Sequence, residues 1–355
     1  MASPQNTEVN EMKTTTTRRT VCGLIAATML VAWRALPLTI ETVPVGNAGN
    51  LGEISGTRDP ALEDVCGAVD YEYSIGKYEI TAGQYTEFLN AVAVTDTYEL
   101  YHTNMDTGTD SHGCNIKRSG TSGSYSYSVA GDWADRPVNY VSWGDAARFA
   151  NWMHNGQPTG SQNATTTEDG TYFLDGATSG IALTDVDRRA VWVWAIPTED
   201  EWYKAAYYDP SLNGGTGGYW DYPTRSDAVP SNDLVEPDPG NNATFSDGSY
   251  TIDGPYYRTE VGEHENSDSA YGTFDQGGNT DEWAETITRS EYAVKRGGGY
   301  ALSEFNLRAN ARTEFRLESN HPGVGFRLAL NPNPVPEPTS AVLFLLIGLL
   351  ALVRL

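Results

Sequence analysis

The chain has 355 residues, with 47 Asp+Glu against 23 Lys+Arg, a formal net charge of −24. That balance argues against DNA or RNA as partner, since phosphate binding is driven by cationic neutralisation, and it fits an acidic surface that attracts cations. With 36 Gly, 21 Tyr and 9 Trp, disorder is excluded too, because disordered chains are poor in aromatics; the composition predicts long, ordered loops.

In chain order, residues 12–36 read as a secretory signal peptide. Lys13, Arg18 and Arg19 form its positive start, Val21 to Trp33 its apolar run, and Arg34-Ala35-Leu36-Pro37 a polar break. The apolar run is too short to span a bilayer. Met12 is the expected start of translation, and residues 1–38 are assigned to extension and signal. Residues 39–69 follow as a mature N-terminal strand and linker, and 70–330 as the main domain. Cys22 falls in the leader, leaving Cys66 and Cys114. In an oxidising compartment these two could form one disulfide or stay as two buried thiols; spacing alone does not decide.

A strand is expected over Tyr71–Ile80. Helices follow at Thr81–Ala93, where Tyr85, Phe88, Leu89 and Val92 share one face, and at Ser142–Gly156, with an S-x-x-D start and a glycine stop. A third runs over Pro197–Ala206, with Thr198 and Glu201 as a capping box and Pro210 beyond its end. Val324–Leu330 reads as a strand. The stretches 94–135, 156–190 and 209–270 lack helical period, and loops of that length must be functional or pinned.

Residues 331–355 carry Val335-Pro336-Glu337-Pro338, a short apolar run from Ala341 to Val353, and Arg354. This resembles a PEP-CTERM sorting signal, which implies cleavage near Pro336-Glu337-Pro338 by an exosortase and passage to the cell surface or extracellular matrix. The membrane would be met only through this segment, transiently. One arginine stands where that signal carries a basic cluster.

Five blocks and a closing Gly325-Phe-Arg327 then line up. They are Ile75-Gly-Lys-Tyr-Glu-Ile-Thr81, Arg136-Pro-Val-Asn-Tyr-Val-Ser-Trp143, Ile196-Pro-Thr-Glu-Asp-Glu-Trp202, Gly278-Asn-Thr-Asp-Glu-Trp283 and Arg296-Gly-Gly-Gly-Tyr300. In this order they resemble the sulfatase-modifying-factor family, which includes formylglycine-generating enzymes and relatives in ergothioneine and pyoverdine synthesis. The resemblance implies an α+β fold, a loop-rich variant of the C-type lectin fold. Trp143, Trp202 and Trp283 are expected in the core, since large rings dominate burial. Gly297 to Gly299 are expected to allow close backbone approach.

The family's chemistry oxidises a substrate cysteine at a thiol pair that binds copper, soft thiolates suiting Cu(I). Here Leu302 and Leu307 stand at the two cysteine positions and Gly299 at the family serine, so no catalytic residue is assigned and copper is not expected. His102, His112, His154, His264 and His321 are scattered, without an H-x-x-x-H spacing. The resemblance further implies structural calcium: Asp275 and Glu282 by side chain, Gly278 and Thr280 by carbonyl, the hard oxygen set Ca²⁺ prefers. A second site would use Asp253 and the Pro255 carbonyl, with Asn242 or Thr244 as third ligand. The sequence thus favours a non-catalytic, calcium-stabilised, lectin-like module that binds an extracellular polysaccharide or surface protein. Tyr207, Tyr208, Tyr219, Trp220 and Tyr222 could offer it stacking faces. The alternatives are a sulfatase-modifying or related non-haem metal oxidoreductase with unassigned catalytic residues, or a structural matrix protein without a ligand.

Overall fold

Three capping boxes fix where the main helices of the computed structural model begin. Thr81 and Gln84 start α1 (Ala82–Val92), Ser142 and Asp145 start α2 (Trp143–His154), and Thr198 and Glu201 start α3 (Glu199–Tyr207). In each, the cap side chain accepts from the N3 amide while the N3 side chain accepts from the cap amide, so two otherwise orphaned donors are satisfied. Gly156 follows the second helix at φ +79°, the left-handed stop that a glycine adopts without a Cβ penalty. The structure describes residues 1–2, 37–56, 61 and 63–334, and the body begins at Leu38. The signal-peptide segment 12–36 and the Pro336-Glu337-Pro338 signal lie outside the described residues. Among those residues no helix is long and apolar enough to cross a membrane.

Two four-stranded sheets organise the body. In the first, β1 (Thr42–Val45) pairs antiparallel with β2 (Tyr73–Gly76), which pairs with the last strand, β8 (Ala329–Leu330), and that with β3 (Trp194–Ala195). In the second, β6 (Thr313–Arg316), β5 (Tyr292–Arg296), β4 (Asp281–Arg289) and β7 (Val324–Gly325) follow in that order, the last pair parallel. The strand expected over Tyr71–Ile80 is shorter, ending at Gly76. The strand expected over Val324–Leu330 is split between the two sheets. Its middle turns from one to the other: Phe326 O accepts from Ile80 N (2.9 Å) and Leu328 O from Gly76 N (2.7 Å).

α1 and α2 pack an aromatic core of Tyr85, Phe88, Phe149, Trp152 and Phe326, with Phe88–Phe149 centroids at 5.2 Å and Phe149–Phe326 at 5.4 Å. Trp143, Trp202 and Trp283 are fully buried, as their sequence blocks predict. Each indole N–H finds an acceptor: Ala284 O, a Glu282 carboxylate oxygen and Val141 O respectively. The long loops are pinned by buried ion pairs. Arg148 makes a bidentate pair with Glu168 of the 156–190 loop, and Arg188 joins that loop to Glu201 and Glu285. Arg296 and Arg312 both hold Glu199 at the start of α3. The 209–270 loop folds round Asp238, which accepts from Gly240 N, Asn242 Nδ2, Asn266 N and Ser267 Oγ.

Candidate functional site

The turn after β5 carries Gly297 at φ +98° and Gly298 at φ +68°. A Cβ on Gly297 would sit 2.8 Å from Gln276 O, and one on Gly298 would sit 2.9 Å from Asn306 Cβ. Side chains there would push the 276–279 and 306–307 segments apart, so the glycine run serves close backbone approach. Leu302 is half-buried, and its carbonyl accepts from Ser246 N (2.8 Å). Leu307 is fully buried against Tyr222, Ala243 and Phe245. At these two positions the chain carries aliphatic side chains, one half-buried and one sealed in apolar packing.

Beside this turn lies an aromatic group that the sequence did not single out. Tyr300 meets Tyr250 and Tyr257 at 6.0 and 5.9 Å, and His112 stacks on Tyr257 at 4.6 Å. Tyr250, Tyr257 and His112 are half-buried, whereas Tyr300 is buried. Burial pushes the Tyr300 hydroxyl up to about 12, which keeps it a donor at neutral pH. Asp110 joins the group by accepting from Tyr140 Oη (2.7 Å), and its second oxygen lies 3.3 Å from His112 Nδ1. The Tyr140 bond holds Asp110 below the usual carboxylate range. Tyr140 and Tyr257 sit at φ +57° and +58°, a conformation uncommon for bulky residues and one that marks local strain. Behind them Arg258 is fully buried. It donates to the carbonyls of His112 and Gly113 (3.0 and 2.9 Å), has no carboxylate in an ion pair among the described residues, and leaves its Nε unpartnered. Burial lowers its pKa.

The stacking residues named from the sequence lie elsewhere and are mostly core. Tyr207, Tyr208 and Tyr222 are buried. Tyr219 and Trp220 are half-buried, with their polar atoms bonded to Leu51 O and Asp209.

The acidic block lies in a cluster of buried Glu79, Glu282 and Arg327 with half-buried Asp275. Glu282 is held by Arg327 through Nε (2.7 Å) and Nη2 (2.6 Å) and by Trp202 Nε1 (2.8 Å). Glu79 accepts from Thr280 N, Thr280 Oγ1 and Asn279 Nδ2. Asp275 accepts from Gly262 N (2.6 Å). Three carboxylates therefore face one guanidinium. Burial, with Asp275 and Glu282 adding repulsion, raises Glu79 well above the usual carboxylate range, and burial pushes Asp275 up to about 6. Asn279 Oδ1 is buried without a partner. The surplus charge and this orphaned oxygen suit a hard cation. Glu282 does not, because both its oxygens are committed to Arg327. Among the described residues, no three His, Cys, Asp or Glu side chains form a metal-holding group.

At the second expected site, Asp253 and Pro255 are exposed, and the Asp253 carbonyl accepts from Tyr257 N (3.4 Å). Asn242 is turned to Asp238 (2.7 Å), while the Thr244 hydroxyl meets Thr259 and His264. No hydrogen bond among the described residues ties Asp253 to either. Of the two readings for the cysteines, the structure shows free thiols in separate cores: Cys66 near Trp202 and Tyr203, Cys114 in the aromatic core under α1.

The family model for the sulfatase-modifying factor enzyme 1-like domain matches residues 59–332. The chain belongs to this family. The match takes in every sequence block, the glycine turn and the acidic cluster. Solved structures similar to the chain include CarF, at 20% identity over 84% of this chain and 99% of that one, with a TM-score of 0.46. Variable protein 1 of Treponema denticola is 17% identical over 84% and 99%, with a TM-score of 0.49. PvdO from Pseudomonas aeruginosa is 16% identical over 84% and 100%, with a TM-score of 0.44. No curated protein matches the chain.

Proposed function

We propose that this member of the sulfatase-modifying-factor family is a non-catalytic binding module that takes an extracellular glycan on the face formed by His112, Tyr250, Tyr257 and Tyr300. The observation that carries the reading is the pair Leu302 and Leu307: two aliphatic side chains, the second sealed in apolar packing, stand where the family's chemistry needs two thiols. The adjacent face supplies what a sugar ring needs, half-buried aromatic rings beside a carboxylate and an imidazole. The leader and the sorting segment read from the sequence support export to the cell surface, with exosortase as processing partner.

Calcium, when bound, would stabilise the fold by neutralising the surplus charge of the acidic cluster. Asp275 would hold it with the Gly278 and Thr280 carbonyls, while Glu282 stays with Arg327. The binding reading is tested on a broad glycan array, with Tyr257→Ala and Tyr250→Ala beside the parent chain. Binding that each substitution weakens about tenfold supports it, as expected when an aromatic anchor is truncated. Clean failure across the array, or binding that neither substitution moves, overturns it.

A further inference from the structure

The aromatic face holds an unspent donor. Tyr300 is 3% exposed, and its hydroxyl makes no hydrogen bond to any described residue. Arg258 Nε, behind it, is unpartnered as well but shut off from solvent, whereas the Tyr300 hydroxyl still reaches solvent beside the half-buried rings of Tyr250 and Tyr257. Nearly buried polar groups almost always have a protein partner. With the hydroxyl pushed up to about 12 by burial, it stays a donor at neutral pH.

An acceptor stands next to it. His112 Nδ1 lies 3.3 Å from Asp110 Oδ1, so in the neutral imidazole that nitrogen carries the proton and Nε2 keeps its lone pair. Nε2 makes no hydrogen bond to a described residue, and the His112 and Tyr300 rings lie 6.1 Å apart. Asp110 has nothing left for a ligand. Its Oδ2 accepts from Tyr140 Oη (2.7 Å) and its Oδ1 from the His112 amide (2.8 Å). Arg258 fixes the arrangement from below, since it follows Tyr257 in the chain and donates to the carbonyls of His112 and Gly113. The two loops are thus tied at their backbones before any ligand arrives, which lowers the cost of binding.

The open groups define the ligand's chemistry. The Arg258 cation and the Asp110 anion cancel, so the face calls for a neutral group. A carboxylate brings no proton for Nε2, and an ammonium brings no acceptor for Tyr300. A sugar hydroxyl offers both roles on a single oxygen, whereas the two protein groups sit on separate rings. An acetamido group places the acceptor on its carbonyl and the donor on its N–H, and adds a methyl for the Tyr250 and Tyr257 rings.

We infer that the aromatic face is specific for an N-acetylated hexosamine, its acetamido carbonyl accepting from Tyr300 Oη, its N–H donating to His112 Nε2 and its methyl lying on the Tyr250 and Tyr257 rings. The inference rests on the glycan-binding reading and names the sugar class.

The test is calorimetric titration of the purified chain with a chitin oligomer, its de-N-acetylated counterpart and a cellulose oligomer of equal length. Tyr300→Phe is the principal variant, since it removes only the hydroxyl. His112→Phe is the second, on a half-buried ring, and melting curves check that both fold. The parent is expected to bind the chitin oligomer at least tenfold more tightly than the other two, because each of those leaves a site group unpaired. Each variant should weaken chitin binding about tenfold, the loss of one hydrogen bond. Equal binding of the cellulose or de-N-acetylated oligomer overturns the inference, as does chitin binding that either folded variant leaves unchanged. Variants that weaken all three oligomers alike also overturn it, by showing a structural role. Binding that Tyr257→Ala weakens but that shows no preference for the acetamido group removes this inference and leaves the glycan face standing. No binding of any of the three removes it too, and the broad array then decides the face by itself.

Discussion

Replacing Arg327 with methionine should destabilise the body more than any single change to its carboxylate neighbours. The guanidinium holds both oxygens of Glu282 and donates to Gly76 O (2.9 Å) and Phe274 O (2.8 Å). Arg327 and Glu282 are both fully buried. Removing one partner of such a pair costs about 3–5 kcal/mol, because the other charge stays buried and unpaired. Carbonyls left without a donor add about 1 kcal/mol or more each. For a domain of this size each kcal/mol is worth roughly 2–4 °C, so Arg327→Met should lower the melting temperature by on the order of 10 °C or more. Glu282→Gln should cost less. It removes one of three carboxylates facing a single cation, and Arg327 keeps Asp275 and Glu79 as neighbours. The assay is urea unfolding of both variants and the parent at neutral pH in chelator, reading the midpoint at constant slope. If Glu282→Gln is as costly as Arg327→Met, the cluster does not carry surplus negative charge and the argument is wrong.

Asp275→Asn tests the same cluster by pH. Asp275 binds its proton more tightly folded than unfolded, so its contribution is present below its ordinary range near pH 4 and lost as pH rises through about 6. In chelator the variant should therefore gain on the parent across that window, by on the order of 3 kcal/mol at pH 8 for a shift of about two units. Millimolar calcium should reverse the sign by stabilising only the parent, and no reversal would remove Asp275 as a calcium ligand. Leu307→Ala should cost about 2–5 kcal/mol in urea unfolding, as for other buried leucines; a cost under 1 kcal/mol would show the site is not sealed. Cys66 and Cys114 should resist a thiol reagent in the native chain and react fully in denaturant. Both are buried, and Cys66 is pushed up to about 12. Rapid native labelling would contradict the packing.

What the sequence shows is mostly what is local. The capping boxes at Ser142/Asp145 and Thr198/Glu201 are legible because their partners are three residues apart, and each helix starts where they place it. The split of the Val324–Leu330 strand is hidden, because it depends on two sheets whose other members lie far away in the chain. The acidic block at Asp275–Glu282 is visible, but the residues that decide its state are not. Glu79 and Arg327 arrive from opposite ends of the domain and turn a local set of candidate ligands into a buried ion-pair cluster. The aromatic face is hidden for the same reason, with His112, Tyr250 and Tyr300 carried on separate loops. The left-handed backbone at Tyr140 and Tyr257 has no sequence signal, since neither is a glycine or asparagine. Clustering in sequence misleads at Tyr207, Tyr208 and Tyr222, which lie close in the chain and are used for packing.

The central claim, binding without the family's thiol chemistry, is tested most directly with the purified chain and Cu(I). Copper is titrated while oxygen uptake is followed with a cysteine-containing sulfatase peptide present. The account predicts neither tight copper binding nor oxygen uptake from a folded chain. Copper binding accompanied by oxidation of the peptide cysteine would contradict it, and would show that thiols away from Leu302 and Leu307 can serve.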